Sequence, residues 1–141
     1  MRKHWFLALP ILIAACSGGL RMKSVDYHHL FNDSNSKVWL VNKLIVDNAI
    51  ISPSHRYDKD IFIFYDNRNC DYVALKDLTR EAPRKGDYML NSEDMHLKIE
   101  FNDNQVWDLD LIYLTEDSIL MEPTGKSDIK MAIQLIPFPE L

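Results

Sequence analysis

The sequence predicts an all-β fold, an antiparallel up-and-down meander of eight or nine strands that closes into a small barrel after a flexible N-terminal tether. From Lys37 onward, apolar and polar residues alternate with a period of two, which is typical of strands. The apolar runs are short, and segments rich in Asp, Asn, Ser and Pro separate them. Closure into a barrel removes the unpaired edges that many short strands would otherwise expose. A two-sheet sandwich is the alternative arrangement.

The predicted strands follow one another with turn-like connections. They cover 37–46, 61–65, 72–76, 86–90, 95–101, 105–115, 118–122 and 128–136. The apolar run 45–51 either extends the first strand or forms a ninth one. No long helix is predicted after Phe31, so the meander accounts for the whole domain of 37–141.

The hairpin around residues 102–104 can be predicted in register. A three-residue loop places Phe101 opposite Gln105, and the pairing of the two strands follows from that. Apolar pairs then meet on one face and opposite charges on the other: Ile99–Trp107 and Leu97–Leu109, then Lys98–Asp108 and His96–Asp110. A half-solvated antiparallel pair requires this pattern, and a slip of one residue would destroy it.

Several strand motifs also occur in a recognisable order. They are Lys37-Val38-Trp39, Gly86-Asp87-Tyr88-Met89-Leu90, Leu97-Lys98-Ile99, Trp107-Asp108-Leu109 and the run 114–121. This succession resembles the small bacterial lipocalin-like lipoproteins. Trp39 resembles the tryptophan of the lipocalin Gly-x-Trp motif, with Lys37 in place of the glycine. The resemblance implies a closed or flattened eight-stranded lipocalin-like barrel over 37–141.

The first sixteen residues form a separate pattern. A positively charged start, residues 1–4, precedes an apolar run, 5–13, which is too short for a bilayer span of about 20 residues. Ile13-Ala14-Ala15-Cys16 then places two small residues before a cysteine. The pattern resembles a bacterial lipoprotein signal peptide with its lipobox. The resemblance implies a signal peptide over 1–15, cleavage between Ala15 and Cys16, and palmitate-type acyl chains on Cys16. An ordinary signal peptide, or a hydrophobic N-terminus with a chance cysteine, is the alternative.

The charge of the mature chain restricts its partners. Loss of residues 1–15 would remove Arg2 and Lys3 and change the formal net charge from -5 to -7. Such an acidic body disfavours nucleic acid and charge-driven docking onto anionic lipid. The lipid bilayer would therefore be bound through acylated Cys16, and two or three acyl chains make such an attachment stable. Residues 16–36 would then form a lipidated tether that contains a short apolar segment.

The residues that could carry chemistry do not combine into a catalytic or metal site. His96 opposite Asp110 has no nucleophile or substrate pocket beside it in the sequence pattern. The adjacent His28 and His29 lack further ligands at a conventional spacing. The run 66–71 lacks the glycine and the distal glutamate of a calcium loop. We therefore expect no catalytic residue, no metal and no cofactor, and a protein that is not an enzyme.

Cys70 has no intramolecular partner once Cys16 carries lipid. It is then either buried or exposed in a loop, where it could pair between molecules. Burial is the simpler interpretation.

The barrel interior is expected to contain bulky apolar side chains. The candidate inward set is Trp39, Ile63, Leu97, Ile99, Phe101, Trp107, Leu109, Ile133 and Leu135. An eight-stranded barrel either fills with side chains or holds one small ligand. So many large residues favour a filled core, although a small apolar ligand stays open as an alternative.

Two apolar segments flank the predicted barrel and are candidates for docking a partner. They are residues 25–31, which could instead cover an open end of the barrel, and the proline-containing tail 136–141, which could instead wrap around it. The candidate docking residues are Val25, Tyr27, Leu30, Phe31, Phe138 and Leu141.

The sequence therefore predicts a membrane-anchored, non-enzymatic lipoprotein that acts as a binding or scaffold module for another cell-envelope protein. Ser17 after the acylated cysteine resembles the pattern that permits delivery to the outer membrane, facing the periplasm. The alternatives are a carrier or sensor of a small hydrophobic ligand, and an envelope-sited immunity or inhibitor protein.

Overall fold

The computed structural model describes residues 27–139. They form α1 (His28–Asn32), β1 (Ser36–Val46), β2 (Ala49–Ile50), a 3₁₀ turn (Arg56–Asp58), β3 (Asp60–Tyr65), β4 (Asn69–Ala74), a second 3₁₀ turn (Leu75–Asp77), β5 (Arg84–Asn91), β6 (His96–Phe101), β7 (Val106–Leu114), β8 (Ile119–Pro123) and β9 (Ala132–Pro137). None of the helices in this part of the chain has the length and hydropathy of a membrane span. The all-β prediction is confirmed.

The strands form one antiparallel sheet that closes on itself. Each strand from β3 to β8 pairs with the next along the chain, and β1 pairs with both β3 and β9. The length of β1 permits this, because residues 36–40 pair with β3 and residues 39–45 pair with β9. The result is a closed eight-stranded barrel with β2 as one extra strand. Closure is confirmed, and the sandwich alternative is wrong.

The apolar run after β1 turns back on itself to form the ninth strand. β2 pairs with the end of β1, with Ala49 opposite Val46. The two turn residues, Asp47 and Asn48, have φ angles of 48° and 65°. A type I′ hairpin turn needs positive φ at both central residues, which Asn and Asp tolerate better than most side chains.

The predicted register of the β6–β7 hairpin is confirmed in full. The observed pairs are Ile99–Trp107, Leu97–Leu109, Lys98–Asp108 and His96–Asp110. Leu97, Ile99 and Leu109 are fully buried, so the apolar face is the inner face of the barrel. Side-chain alternation and the loop length were together sufficient to fix this register.

The interior prediction is wrong at Ile63. The inward residues of β3 are Phe62 and Phe64, both fully buried in the main core. Ile63 instead belongs to a second apolar cluster, which is centred on Leu40, Ile61 and Val73 and lies on the other face of the sheet. Because β3 is apolar at every position from 61 to 65, alternation could not show which set faces inward.

The two ends of the barrel differ in how they are built. The helix end contains α1 and the turns 66–68, 92–95 and 115–118. The loop end contains the longer connections 47–59, 75–83, 102–105 and 124–131. β1 begins at the helix end and runs to the loop end, a distance of about 33 Å for ten residue steps at roughly 3.3 Å per residue.

Candidate functional site

α1 closes the helix end with an aromatic side chain. Phe31 is fully buried, and its ring packs edge-on against Phe64 at a centroid distance of 5.0 Å. Tyr88 lies on another side of the ring, at 6.3 Å. The backbone carbonyl oxygen of Phe31 accepts a 3.0 Å hydrogen bond from the indole N–H of Trp39. The described part of the apolar segment before β1, residues 27–31, therefore covers this end of the barrel, one of the two roles considered for the segment.

A buried chain of hydrogen bonds holds α1 in place. The Asn32 amide donates to the Tyr88 hydroxyl at 3.1 Å, and that hydroxyl donates to the Tyr65 carbonyl oxygen at 2.7 Å. The Asn32 side-chain oxygen accepts from the backbone N–H of Ser34 at 2.9 Å. Burial raises the pKa of Tyr88, which keeps its hydroxyl protonated and able to donate. An unpaired buried polar group costs about 1–3 kcal/mol, so these pairings fix the position of the helix.

The predicted docking residues have different environments. Phe31 is buried in the core, so a partner cannot contact its side chain in this structure. Tyr27 and Leu30 are half-buried and pack against the same core. The packed body therefore includes residues 27–36, which the sequence analysis assigned to the tether. Val25 and Leu141, together with the lipidation and cleavage residues Ala15 and Cys16, lie outside the described residues.

The C-terminal tail wraps around the barrel wall. β9 continues to Pro137, which pairs with Trp39 of β1. The backbone N–H of Phe138 then donates to the Val38 carbonyl oxygen at 3.0 Å. The half-buried Phe138 side chain packs on the outer apolar cluster. Beside it lies a groove of about 430 Å³, lined by the start of β1 and by Pro137, Phe138 and Pro139.

An arginine covers the aromatic core near the loop end. The Arg84 guanidinium lies 4.0 Å from the centroid of Phe101 and 5.7 Å from that of Trp107. Asp103 holds it with two hydrogen bonds of 2.8 and 3.0 Å, and Gln105 accepts a third at 2.6 Å. Sequence reasoning missed this clamp. The alternation of inward and outward residues along β5 could have indicated it, because this alternation places residue 84 on the same inward face as residues 86 and 88.

Aromatic rings fill the interior between these two ends. The Phe62 ring contacts Phe64 at 5.2 Å, Tyr72 at 4.6 Å and Trp107 at 5.7 Å. Phe101 packs against Trp107 at 4.9 Å. Such offset and edge-on contacts stabilise a core beyond the area they bury. These packed rings agree with the filled core that the sequence favours.

Cys70 lies in the barrel wall and is fully buried with a free thiol. The interpretation as a buried cysteine is confirmed. Burial is the main factor that raises the pKa of this thiol to about 12, and the carboxylates of Asp71 and Asp87 add to the shift. Because the thiolate is the reactive form, the folded protein protects Cys70 from oxidation and from pairing between molecules.

His96 contacts two carboxylates on the outside of the barrel. Its Nδ1 lies 3.2 Å from Asp110, as its place opposite that residue predicts, and its Nε2 lies 3.4 Å from Asp108. Asp108 is buried although it lies on the outer face of the barrel. Thr124 donates a hydrogen bond to its carboxylate, and the Ser127 hydroxyl accepts one from its backbone N–H. The two ring nitrogens face different acids, so they do not converge on one reacting atom. The arrangement fastens the loop after β8 to the barrel wall.

A polar groove of about 330 Å³ runs along the outer face between β4 and β5. Its lining residues include Tyr65, Asn69, Asp71, Lys85 and Asp87. The Tyr65 hydroxyl donates to the Asp71 carboxylate at 3.1 Å. Within residues 27–139 no group of three or more His, Cys, Asp or Glu side chains is arranged to hold a metal ion.

No protein-family model matches this chain, and no curated protein matches it in sequence. Its fold is similar to that in an NMR structure of a protein from Bacteroides uniformis ATCC 8492. That similarity has a TM-score of 0.55 at 12% identity and covers 79% of this chain and 93% of the other. At this identity the likeness concerns the barrel fold alone.

Proposed function

We propose that this protein is a membrane-anchored lipoprotein whose barrel acts as a non-enzymatic binding or scaffold module for another cell-envelope protein. The observation that carries the proposal is the Ile13-Ala14-Ala15-Cys16 pattern, which precedes a compact body that the structure describes from Tyr27 onward. Two or three acyl chains on Cys16 would hold that body at the outer membrane, facing the periplasm.

The filled interior supports a module that works through its surface. A carrier needs an internal cavity, and such sites commonly measure about 300–1,000 Å³. Here the interior is occupied by the packed rings of Phe62, Phe64, Tyr72 and Trp107. The carrier alternative predicts that a fluorescent apolar probe gains intensity when added to the purified protein. Our proposal predicts no such gain.

The absence of catalysis is part of the same proposal. His96 contacts two carboxylates through different nitrogens, and the Cys70 thiol is buried with a raised pKa. Neither arrangement provides an activated nucleophile next to a substrate pocket.

A lipocalin-like relationship is the finer part of this proposal. It is supported by the up-and-down order of the eight barrel strands and by the place of Trp39 near the start of the first strand. Lys37 stands in place of the motif glycine, and its ammonium lies 4.4 Å from the Trp39 ring centroid.

Metabolic labelling tests the anchor. Cells that express the full-length chain in radioactive palmitate should yield a labelled protein in the membrane fraction. The Cys16→Ala variant should be unlabelled and released from membranes, whereas Cys70→Ala should behave as the parent chain. Labelling that persists in Cys16→Ala would refute the lipobox interpretation.

A further inference from the structure

Most of the exposed large apolar side chains of the described residues belong to two connections of the loop end. The described residues include six such side chains that are about half exposed or more. Four of them belong to the connections after β1 and β4: Ile50 (59%), Ile51 (55%), Tyr57 (75%) and Leu78 (47%). The other two, Met89 and Ile112, stand on separate strands of the barrel wall.

Hydrogen bonds bring these two connections together. The backbone N–H of Ile51 donates to Leu44 O at 2.8 Å, which holds β2 and the residue after it against β1. The Lys59 side chain donates to Asn42 O of the same strand. The backbone N–H of Leu75 then donates to Lys59 O at 2.9 Å, which joins the second connection to the first. We call Ile50, Ile51, Tyr57 and Leu78 the corner patch.

We propose that the corner patch is the surface on which the partner protein docks, an inference that rests on the proposed function. Interface centres are poor in charge and rich in apolar and aromatic side chains, and tyrosine is over-represented among the residues that dominate binding. The most exposed member of the patch is Tyr57, at 75%. A folded protein with an apolar face of similar size is the occupant that this chemistry fits.

The charges around the patch favour a protein over nucleic acid or anionic lipid. The connections 47–60 and 75–81 carry four cations (Arg56, Lys59, Lys76, Arg80) and five carboxylates (Asp47, Asp58, Asp60, Asp77, Glu81). Binding to phosphate groups needs an excess of cations, which this rim lacks. A rim with both signs instead suits a protein surface that presents complementary pairs.

The charge at the helix end makes that end a poorer docking surface for an acidic or apolar partner. Its turns carry six carboxylates against one arginine: Asp33, Asp66, Glu93, Asp94, Glu116, Asp117 and Arg68. The barrel thus has an acidic helix end, whereas the corner patch at the loop end is apolar and its surrounding charges nearly cancel.

The point at which the tether joins the barrel makes lipid a poor occupant of the patch. Residues 17–26 would span at most about 36 Å when fully extended. The described body starts at Tyr27, at the helix end, whereas the corner patch lies about 25 Å away along the barrel axis, once the usual strand tilt of roughly 35–45° is allowed for. Contact between the patch and the bilayer would therefore stretch these ten residues well beyond their r.m.s. reach of about 17 Å, at a cost in chain entropy. The patch faces away from the membrane.

Photo-crosslinking in cells tests the inference on the full-length chain. A photoreactive residue replaces Tyr57 in one variant and Met89 in the other, so that both positions are exposed but only one lies in the patch. We expect a crosslinked product of discrete mass from position 57 and none from position 89. Equal products from both positions, a product made of lipid or of a second copy of this chain, or no product at all would overturn the inference.

The captured protein is then identified, purified and titrated against the full-length lipidated chain in nanodiscs. Ile50→Ser combined with Tyr57→Ser should weaken binding about tenfold or more, as the loss of central interface residues does. Met89→Ser combined with Ile112→Ser should leave the affinity unchanged. Unchanged binding by the patch variant would refute the inference yet leave the lipoprotein proposal intact, since palmitate labelling of Cys16 tests that separately.

Discussion

At the scale of single residues, Gly86 shows how closely two strands of this barrel approach each other. A Cβ built at Gly86 would lie 2.8 Å from the Glu100 carbonyl oxygen and 3.1 Å from the Phe101 ring. A Cβ at Gly125 would meet no atom within 4 Å. Two glycines of one chain therefore have different roles, and only Gly86 is required by packing.

We expect Gly86→Ala to destabilise the protein by about 1–3 kcal/mol, because the methyl group must displace backbone of β6. Gly125→Ala is the matched control and should be neutral or more stable by up to about 1 kcal/mol, since it restricts the unfolded chain without a clash. Urea unfolding followed by tryptophan fluorescence measures both. Equal midpoints for the two variants would contradict the packing argument.

Cys70 gives a residue-scale prediction about pH. Its pKa is raised from an ordinary value of 9.0 to about 12, so the folded state favours the protonated thiol. This contribution to stability is fully present below pH 9 and is lost as the pH rises from 9 toward 12, because the unfolded chain releases the proton first.

We therefore expect iodoacetamide to leave Cys70 unmodified at pH 8 in the folded protein and to react with it in urea. In Cys70→Ser the loss of stability between pH 9 and 11 should be smaller than in the parent chain. Rapid labelling of the folded protein would show that the thiol is accessible.

At the scale of elements, α1 has an effect out of proportion to its five residues. It supplies Phe31 to the core, and Asn32 to the buried hydrogen bonds with Tyr88. A helix this short is not stable by itself, so its geometry depends on these tertiary contacts. The residues just before the first strand are therefore part of the barrel.

Phe31→Ala should lower the free energy of unfolding by about 3–5 kcal/mol, the usual effect of removing a buried phenylalanine ring. His29→Ala, an exposed position in the same helix, should change stability by less than about 0.5 kcal/mol. Thermal and urea unfolding of the two variants provide the comparison. A small effect of Phe31→Ala would show that the barrel is stable without the Phe31 ring at its helix end.

The elements also show where sequence reasoning succeeds and where it stops. The β6–β7 register was predictable because Leu97, Ile99 and their partners alternate with charged residues. β3 has no alternation of apolar and charged residues, so Ile63 was assigned to the wrong face of the sheet. The alternation of β5 indicates the face on which Arg84 lies, but its partner Asp103 comes from a separate hairpin. Thr124 and Ser127 likewise meet Asp108 only in the folded chain, so no local sequence pattern predicts these contacts.

At the scale of the whole molecule, the barrel depends on a seam between strands that are distant in sequence. β1 and β9 pair along six residues of each strand, with a shift in register between Val41 and Lys43. This seam leaves β1 and β9 without free edges over their paired lengths, which limits edge-to-edge aggregation. Pairing over so long a sequence separation is also expected to make folding slow compared with that of a helical bundle.

Amide hydrogen exchange tests the integrity of the seam. Amides that are hydrogen-bonded between β1 and β9 should be protected from exchange to the same degree as those between β6 and β7, because a closed barrel is expected to open only by global unfolding. Amides of the two-residue β2 should exchange much faster. Markedly weaker protection at the seam than at the β6–β7 pair would indicate that the barrel opens there in its native state.

The seam also has a practical consequence for labelling experiments in cells. Because Pro137 pairs beside Trp39, the described chain ends at the helix end of the barrel, where Tyr27 and α1 also lie. If Cys16 is acylated as we propose, a fluorescent protein fused after residue 141 would crowd the bilayer. Insertion at Gly125, where an added side chain would meet no atom within 4 Å, would place the reporter at the loop end and leave the Asp103–Arg84 contact of the 102–104 turn intact.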